Sequence, residues 1–233
     1  VFLGMIGYLV KFMVQDSQEI INNPANKRQE LLAERIVRGD IVSSDGRVLA
    51  TTETDQKGNE TRVYPYKNVF CHVVGRVWNS KTGIELEQSF PLLTSHVNPL
   101  KQLSNQLQGQ KNQGDIVVTT LNAKLQQIAY DALGNQKGAV VAIEPSTGKV
   151  LAMVSKPDYD PNTVRSEWDS LVADEAGNSA LLNRATQGLY PPGSTFKILT
   201  AMEYMRENPS FDKYRYECSG SDTFGGNVIR CYN

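Results

Sequence analysis

Ser194 and Lys197, in the tetrad Ser194-Thr195-Phe196-Lys197, are the residues whose types and spacing most directly suggest chemistry. A serine hydroxyl is a poor nucleophile until a base within hydrogen-bond reach takes its proton. A lysine serves when burial or neighbouring positive charge favours the neutral amine. Positions i and i+3 share one helix face, so a helix opening at Ser194 would bring the Lys197 amine alongside the hydroxyl. The unpaired N–H groups of such a helix start favour negative charge on the attacking oxygen and on an oxyanion beside it. A serine there also has a plainer use, capping those same N–H groups, and Ser-x-x-Lys arises often by accident.

The setting sharpens the signal. Pro191, Pro192 and Gly193 exclude regular structure just before the serine, while Phe196, Leu199, Met202 and Met205 recur behind it at helical spacing. The sequence therefore predicts a helix opening at Ser194. A Ser-His-Asp triad is unattractive, because His72 and His96 both lie far upstream of Ser194. Zinc lacks ligands, and the carboxylates between Lys156 and Asn178 lack the regular spacing of a calcium loop. No metal or cofactor is expected. A net charge of −1 gives no basic excess for nucleic acid.

The run Asn183-Arg184-Ala185-Thr186-Gln187-Gly188-Leu189-Tyr190-Pro191-Pro192-Gly193-Ser194-Thr195-Phe196-Lys197 brings a family into view. Together with Arg38-Gly39-Asp40-Ile41 and Ser44-Asp45-Gly46-Arg47-Val48-Leu49-Ala50, it resembles the class B penicillin-binding proteins, membrane-anchored peptidoglycan transpeptidases. The resemblance covers nearly the whole chain. It implies that Ser194 attacks the carbonyl between the last two D-alanines of a stem peptide, with Lys197 as base. The Ser194 backbone N–H would supply part of the oxyanion hole, and a β-lactam would acylate the same serine. Arg184, in a triplet the family carries just ahead of the nucleophile, would anchor the approach loop, and Gly193 would shape the turn.

The resemblance further implies a single-pass anchor in the cytoplasmic membrane, an extracytoplasmic catalytic domain and a glycosyltransferase partner. Elongation, division and sporulation roles all stay open. So do two rivals: a carboxypeptidase or β-lactamase on the same scaffold, and a β-lactam-binding membrane sensor. The family's Ser-x-Asn and second Lys-Thr-Gly motifs should follow Lys197, and neither does. Lys81-Thr82-Gly83, upstream, is taken as a turn. A chain ending at Asn233 is therefore expected to be inactive in turnover.

The elements that must position the serine are only partly signalled. With 233 residues, 40% hydrophobic and 21% charged, the chain has mass for a real core. An α+β fold is expected: the end of an anchor helix over 1–15, a β-rich pedestal over 16–115, and over 116–233 the first part of a transpeptidase domain, an antiparallel sheet with helices. Val1 to Val10 is apolar but shorter than the roughly 20 residues a spanning helix needs. Helices are expected from Asp16 to Arg35, interrupted at Pro24 and restarted at Asn26. A hairpin turns through Ser44-Asp45-Gly46, and a strand is expected over His72-Val73-Val74-Gly75. Gly83-Ile84-Glu85 and Phe90 match a family motif and are taken as packing residues.

Leu100 to Gly114 reads as a linker or exposed arm, and Lys156 to Asn178 as an acidic loop. Asn122 should cap a helix ending at Gly134. Behind it, Gly138 to Ile143 and Lys149 to Val154 should pair as strands with both faces covered. Cys71 suits a buried apolar site. Cys218 and Cys231 could close a disulfide or stay as thiols.

Overall fold

The computed structural model describes residues 1–13, 28–175 and 177–231. The expectations for Pro24 and Asn26 lie outside the described residues. By contacts the chain divides into two compact units, Val1–Gly188 and Leu189–Asn233.

The first unit starts with helix α1 (Phe2–Lys11), none of whose residues is buried. Among the described residues no helix is long and apolar enough to cross a membrane. Helix α2 (Arg28–Ala33) leads into β1 (Ile36–Val37), and β2 (Ile41–Val42) turns back antiparallel into β3 (Val48–Thr54). The Asp45-Gly46 signal is met by a turn in which Ser43 Oγ accepts the Arg47 N–H at 2.9 Å. β4 (Glu60–Val63) pairs antiparallel with β3. On the other side of β2, β6 (Val117–Val118) joins in parallel, giving the order β4-β3-β2-β6. β5 (Asn112–Gln113) pairs separately with β1.

Short helices cover this sheet: α3 (Cys71–Val74), α4 (Gly83–Glu87) and α5 (Ser89–Leu92). Ile41, Leu49, Tyr64, Phe70, Val74, Leu92 and Leu121 are buried together, and burial of that apolar area is the main stabilising force. Gly39 lies so close to the next segment that an added Cβ would sit 2.0 Å from the Asp115 carbonyl oxygen. That contact explains a glycine directly after Arg38.

One buried polar cluster stands out. Glu85 is fully buried and receives Arg38 Nε at 2.6 Å and Arg62 Nε at 2.7 Å, with the Tyr64 hydroxyl donating to it at 3.3 Å. Burial, and then the Glu85 charge, push the Tyr64 hydroxyl well above its ordinary pKa, so it stays a donor. The arginines also donate to backbone carbonyls, Arg38 to Glu85 O and Arg62 to Gly39 O. Three charged groups thereby lock the segment that follows β1, strand β4 and α4 together.

Helix α7 (Ala123–Leu133) begins as expected, with Asn122 Oδ1 accepting the Leu125 N–H at 2.9 Å, and ends at Gly134 with φ of 53°. It packs on a hairpin of β7 (Gly138–Ile143) and β8 (Val150–Lys156) through Ala129, Ala152 and Val154. Gln126, fully buried, donates to Val69 O and Met153 O and accepts from Met153 N. All of these side-chain bonds tie α7 to β8 and to the 3-10 turn Lys67–Phe70.

Several expectations are corrected. His72-Val73-Val74 is helical rather than a strand, because Gly75, with φ of 86°, stops the chain after a single turn that buries Cys71, His72 and Val74. Leu100 to Gly114 is mostly helix α6 (Pro99–Leu107), started by the Asn98 side chain accepting the Leu100 N–H with a proline in the first turn. Lys156 to Asn178 contains helix α8 (Val164–Ala173), whose Trp168 meets Trp78 edge to face at 5.5 Å. Phe90 is 44% exposed and so is not a core residue, whereas Glu85 of the same motif is the buried charge centre. β7 alternates, leaving Val141 and Ile143 exposed, so only one face of its hairpin is covered. Unbroken apolar sequence concealed that alternation.

The second unit holds a 3-10 turn over Gly193–Phe196, helix α9 (Lys197–Glu207), and a hairpin of β9 (Ser221–Phe224) with β10 (Asn227–Arg230). No residue described in it is buried.

Candidate active site

Ser194 is the second residue of the 3-10 turn that runs directly into α9, whose first residue is Lys197. Gly193 enters the turn at φ of 53°, a conformation that costs other residues about 1 kcal/mol or more and glycine little. Thr195 holds the turn, its N–H bonded to Pro192 O at 3.2 Å and its hydroxyl donating to the same carbonyl. Neither the 3-10 turn nor α9 carries a side-chain cap. The plain use of Ser194, as a helix cap, is therefore not the one adopted.

Ser194 lies in this turn and Lys197 opens the helix that continues it, and both are exposed. Phe196, Leu199, Met202 and Met205 do repeat along the helix, and all are exposed.

Arg184 belongs to the first unit and is buried, with 4% of its surface exposed. Its Nη1 donates to Ser179 O at 3.1 Å and its Nη2 to Asn178 O at 2.5 Å, while its backbone N–H donates to Ser155 Oγ on β8 at 2.9 Å. The neighbouring Asn183 folds the loop on itself, accepting the Ala185 N–H and donating to His72 O on α3. Asn183 and Arg184 thus fasten the approach segment to β8 and α3. Ser155, Asn178 and Ser179 complete this anchorage without any distinctive sequence pattern. Burial lowers the His72 pKa, so the imidazole beside the loop is held neutral.

The Cys218 and Cys231 sulfurs lie 2.7 Å apart across the base of the β9–β10 hairpin, and both are free thiols. Mutual hydrogen bonding lowers the Cys218 pKa and raises that of Cys231. Cys71 is buried as expected, and burial raises its thiol pKa strongly. It is no candidate nucleophile.

Comparisons with known proteins agree across most of the chain. The penicillin binding protein transpeptidase domain family matches residues 138–233. A peptidoglycan D,D-transpeptidase of Mycobacterium tuberculosis, PbpA, is 37% identical over 195 residues, covering 76% of this chain and 39% of its own length. The Escherichia coli K12 peptidoglycan D,D-transpeptidase MrdA is 32% identical over 208 residues, 71% of this chain and 32% of the relative. The chain thus spans well under half the length of these relatives. Penicillin-binding protein A of M. tuberculosis, solved as an imipenem acyl-enzyme complex, is similar with a TM-score of 0.68 at 32% identity, covering 84% of this chain and 49% of that structure. PBP2 of Pseudomonas aeruginosa in complex with WCK 5153 gives a TM-score of 0.70 at 28% identity, over 85% and 47% of the two chains.

Proposed function

The chain belongs to the class B penicillin-binding proteins, and from that premise we propose that the protein crosslinks peptidoglycan stem peptides through an acyl-enzyme on Ser194. Lys197 takes the hydroxyl proton, and the serine oxygen adds to the carbonyl between the terminal D-alanines. The tetrahedral adduct collapses, terminal D-alanine leaves with a proton, and an amine of a second stem then displaces the serine. The observation that carries this reading is the Gly193–Phe196 turn: it sets Ser194 and Lys197 on one helical turn and spends neither side chain on capping. A β-lactam acylates the same hydroxyl.

The supporting parts are proposed with it. Arg184 positions the approach loop, and Gly193 gives the turn its shape. Residues 1–15 end a membrane anchor, 16–115 form the pedestal and 116–233 begin the transpeptidase domain, with catalysis outside the cytoplasmic membrane and a glycosyltransferase as partner. In an oxidising compartment Cys218 and Cys231 form a disulfide. By loop-closure entropy it stabilises the hairpin by about 3 kcal/mol.

The test is the intact mass of the full-length protein after incubation with a β-lactam. Stable addition of one drug mass, absent in Ser194→Ala, is the expected result. Lys197→Met should slow acylation by about 10² to 10⁴ fold, the range for loss of a general base. No adduct on the wild type sinks the proposal. Fast loss of the adduct points to a hydrolase, and a stable adduct without crosslinking of stem peptides points to a sensor.

A further inference from the structure

A second site lies in the first unit, away from the serine turn in sequence and built on the buried charge cluster. Two guanidinium groups, Arg38 and Arg62, share the single carboxylate of Glu85, so the cluster carries one positive charge in excess. The Arg62 side chain is 5% exposed, and its Nη2 has no hydrogen-bond partner. A buried donor left unpaired costs about 1–3 kcal/mol, and more on a charged group. Both arginines line a cavity of 300 Å³, and so does Lys81, which has a partner of its own. Glu60 also lines it but is already paired with Lys111 at 2.8 Å. The remaining wall includes Ile36, Val77 and Leu93, which are apolar.

We propose that this cavity binds a carboxylate carried on a short aliphatic stem, the carboxylate compensating the Arg38–Arg62 charge excess and the stem lying against Ile36, Val77 and Leu93. The chemistry discriminates against other occupants. A neutral apolar molecule would leave the excess charge uncompensated, and a cation would meet two guanidiniums and Lys81. A small inorganic anion would satisfy the charge and leave the apolar wall wet. The carboxylate belongs either to the C-terminus of a peptide or to a lipid-derived acid. The site is independent of the reaction proposed for Ser194 and stands or falls without it.

Calorimetric titration of the full-length protein at constant ionic strength tests the site, with hexanoate, hexanamide, acetate and N-acetyl-leucine as probes. Hexanoate should bind, and hexanamide and acetate should each bind about tenfold more weakly or not at all, the scale expected for losing one charge-assisted contact or the buried stem. Lys81→Glu replaces no member of the Arg38–Glu85–Arg62 cluster and should weaken hexanoate about tenfold by reversing one wall charge. Arg62→Lys should weaken it further, and Lys81→Glu keeps the test decisive if that variant misfolds. N-acetyl-leucine binding more tightly than hexanoate assigns the site to a peptide terminus, and the reverse order to a lipid-derived acid. Hexanamide binding as well as hexanoate, hexanoate binding unaltered by Lys81→Glu, or no hexanoate binding would each overturn the proposal.

Discussion

At the scale of single residues, the hydrogen bonds of the serine turn separate the proposed nucleophile from the residue that holds the turn. In the serine turn Thr195, not Ser194, makes the local bond to Pro192 O. Ser194→Ala should therefore abolish acylation while leaving the unfolding midpoint unchanged, which combined mass and urea measurements would show. Gly193→Ala must place a Cβ at φ of 53°. It should slow β-lactam acylation about tenfold by shifting the Ser194 backbone, read from the rate of drug-mass addition. At Asn122 the cap bond to Leu125 is made by a side-chain oxygen that aspartate also has. Asn122→Ala should cost about 1 kcal/mol in urea unfolding, and Asn122→Asp should cost almost nothing. Asn122 was legible in the sequence because a cap is local, as is the i,i+3 spacing that singles out Ser194 and Lys197 as the proposed pair. Gln126 and the role of Ser155 were not, since their partners are backbone atoms brought near only by the tertiary fold; nor was Ser179, which serves Arg184 through a backbone carbonyl that any residue type has.

At the scale of elements, hairpins and capped helices were legible, and single-turn helices were not. The β2–β3 turn and the β7–β8 pair follow from Asp45-Gly46 and from two apolar runs joined by a tight loop. His72-Val73-Val74 has strand composition, yet the stop at Gly75 and burial against the sheet decide for a helix. Composition was a poor guide again at α6, where polar residues conceal a cap and a first-turn proline. The packing of α3 has a pH consequence. His72 has its folded-state pKa lowered, chiefly by desolvation, so its stabilising contribution is intact above the unfolded value of about 6.5 and is lost as pH falls from there through the folded value. The stability difference between wild type and His72→Asn should accordingly shrink between pH 7.5 and about pH 5, measured by urea unfolding at each pH. A constant difference would refute the assignment. The Glu85 cluster makes the larger demand. Glu85→Gln strands two buried guanidiniums and should cost about 3–5 kcal/mol in the same assay.

At the scale of the whole molecule, the buried residues divide unevenly between the two units. Among the described residues three apolar clusters centre on Ile41 and Leu49, on Tyr159 and Val164, and on Ala152 and Val154, and all their members precede Gly188. Among the described residues from Leu189 onward none is buried, and α9 leaves its apolar residues exposed. Since apolar burial is the dominant favourable term in folding, the stability of this chain must reside in its first unit. Removing residues 189–233 should therefore leave a protein that unfolds cooperatively, with a midpoint within a few degrees of the 233-residue chain and intact near-ultraviolet signals from Trp78 and Trp168. A peptide of residues 189–233 alone should show no cooperative transition, because an isolated helix of this length and a two-stranded hairpin are each marginal in water. If the truncated chain instead unfolds far earlier, the stability of the first unit depends on the presence of residues 189–233. The order of assembly would then be reversed, with the serine turn as a structural support rather than a late addition to a finished scaffold.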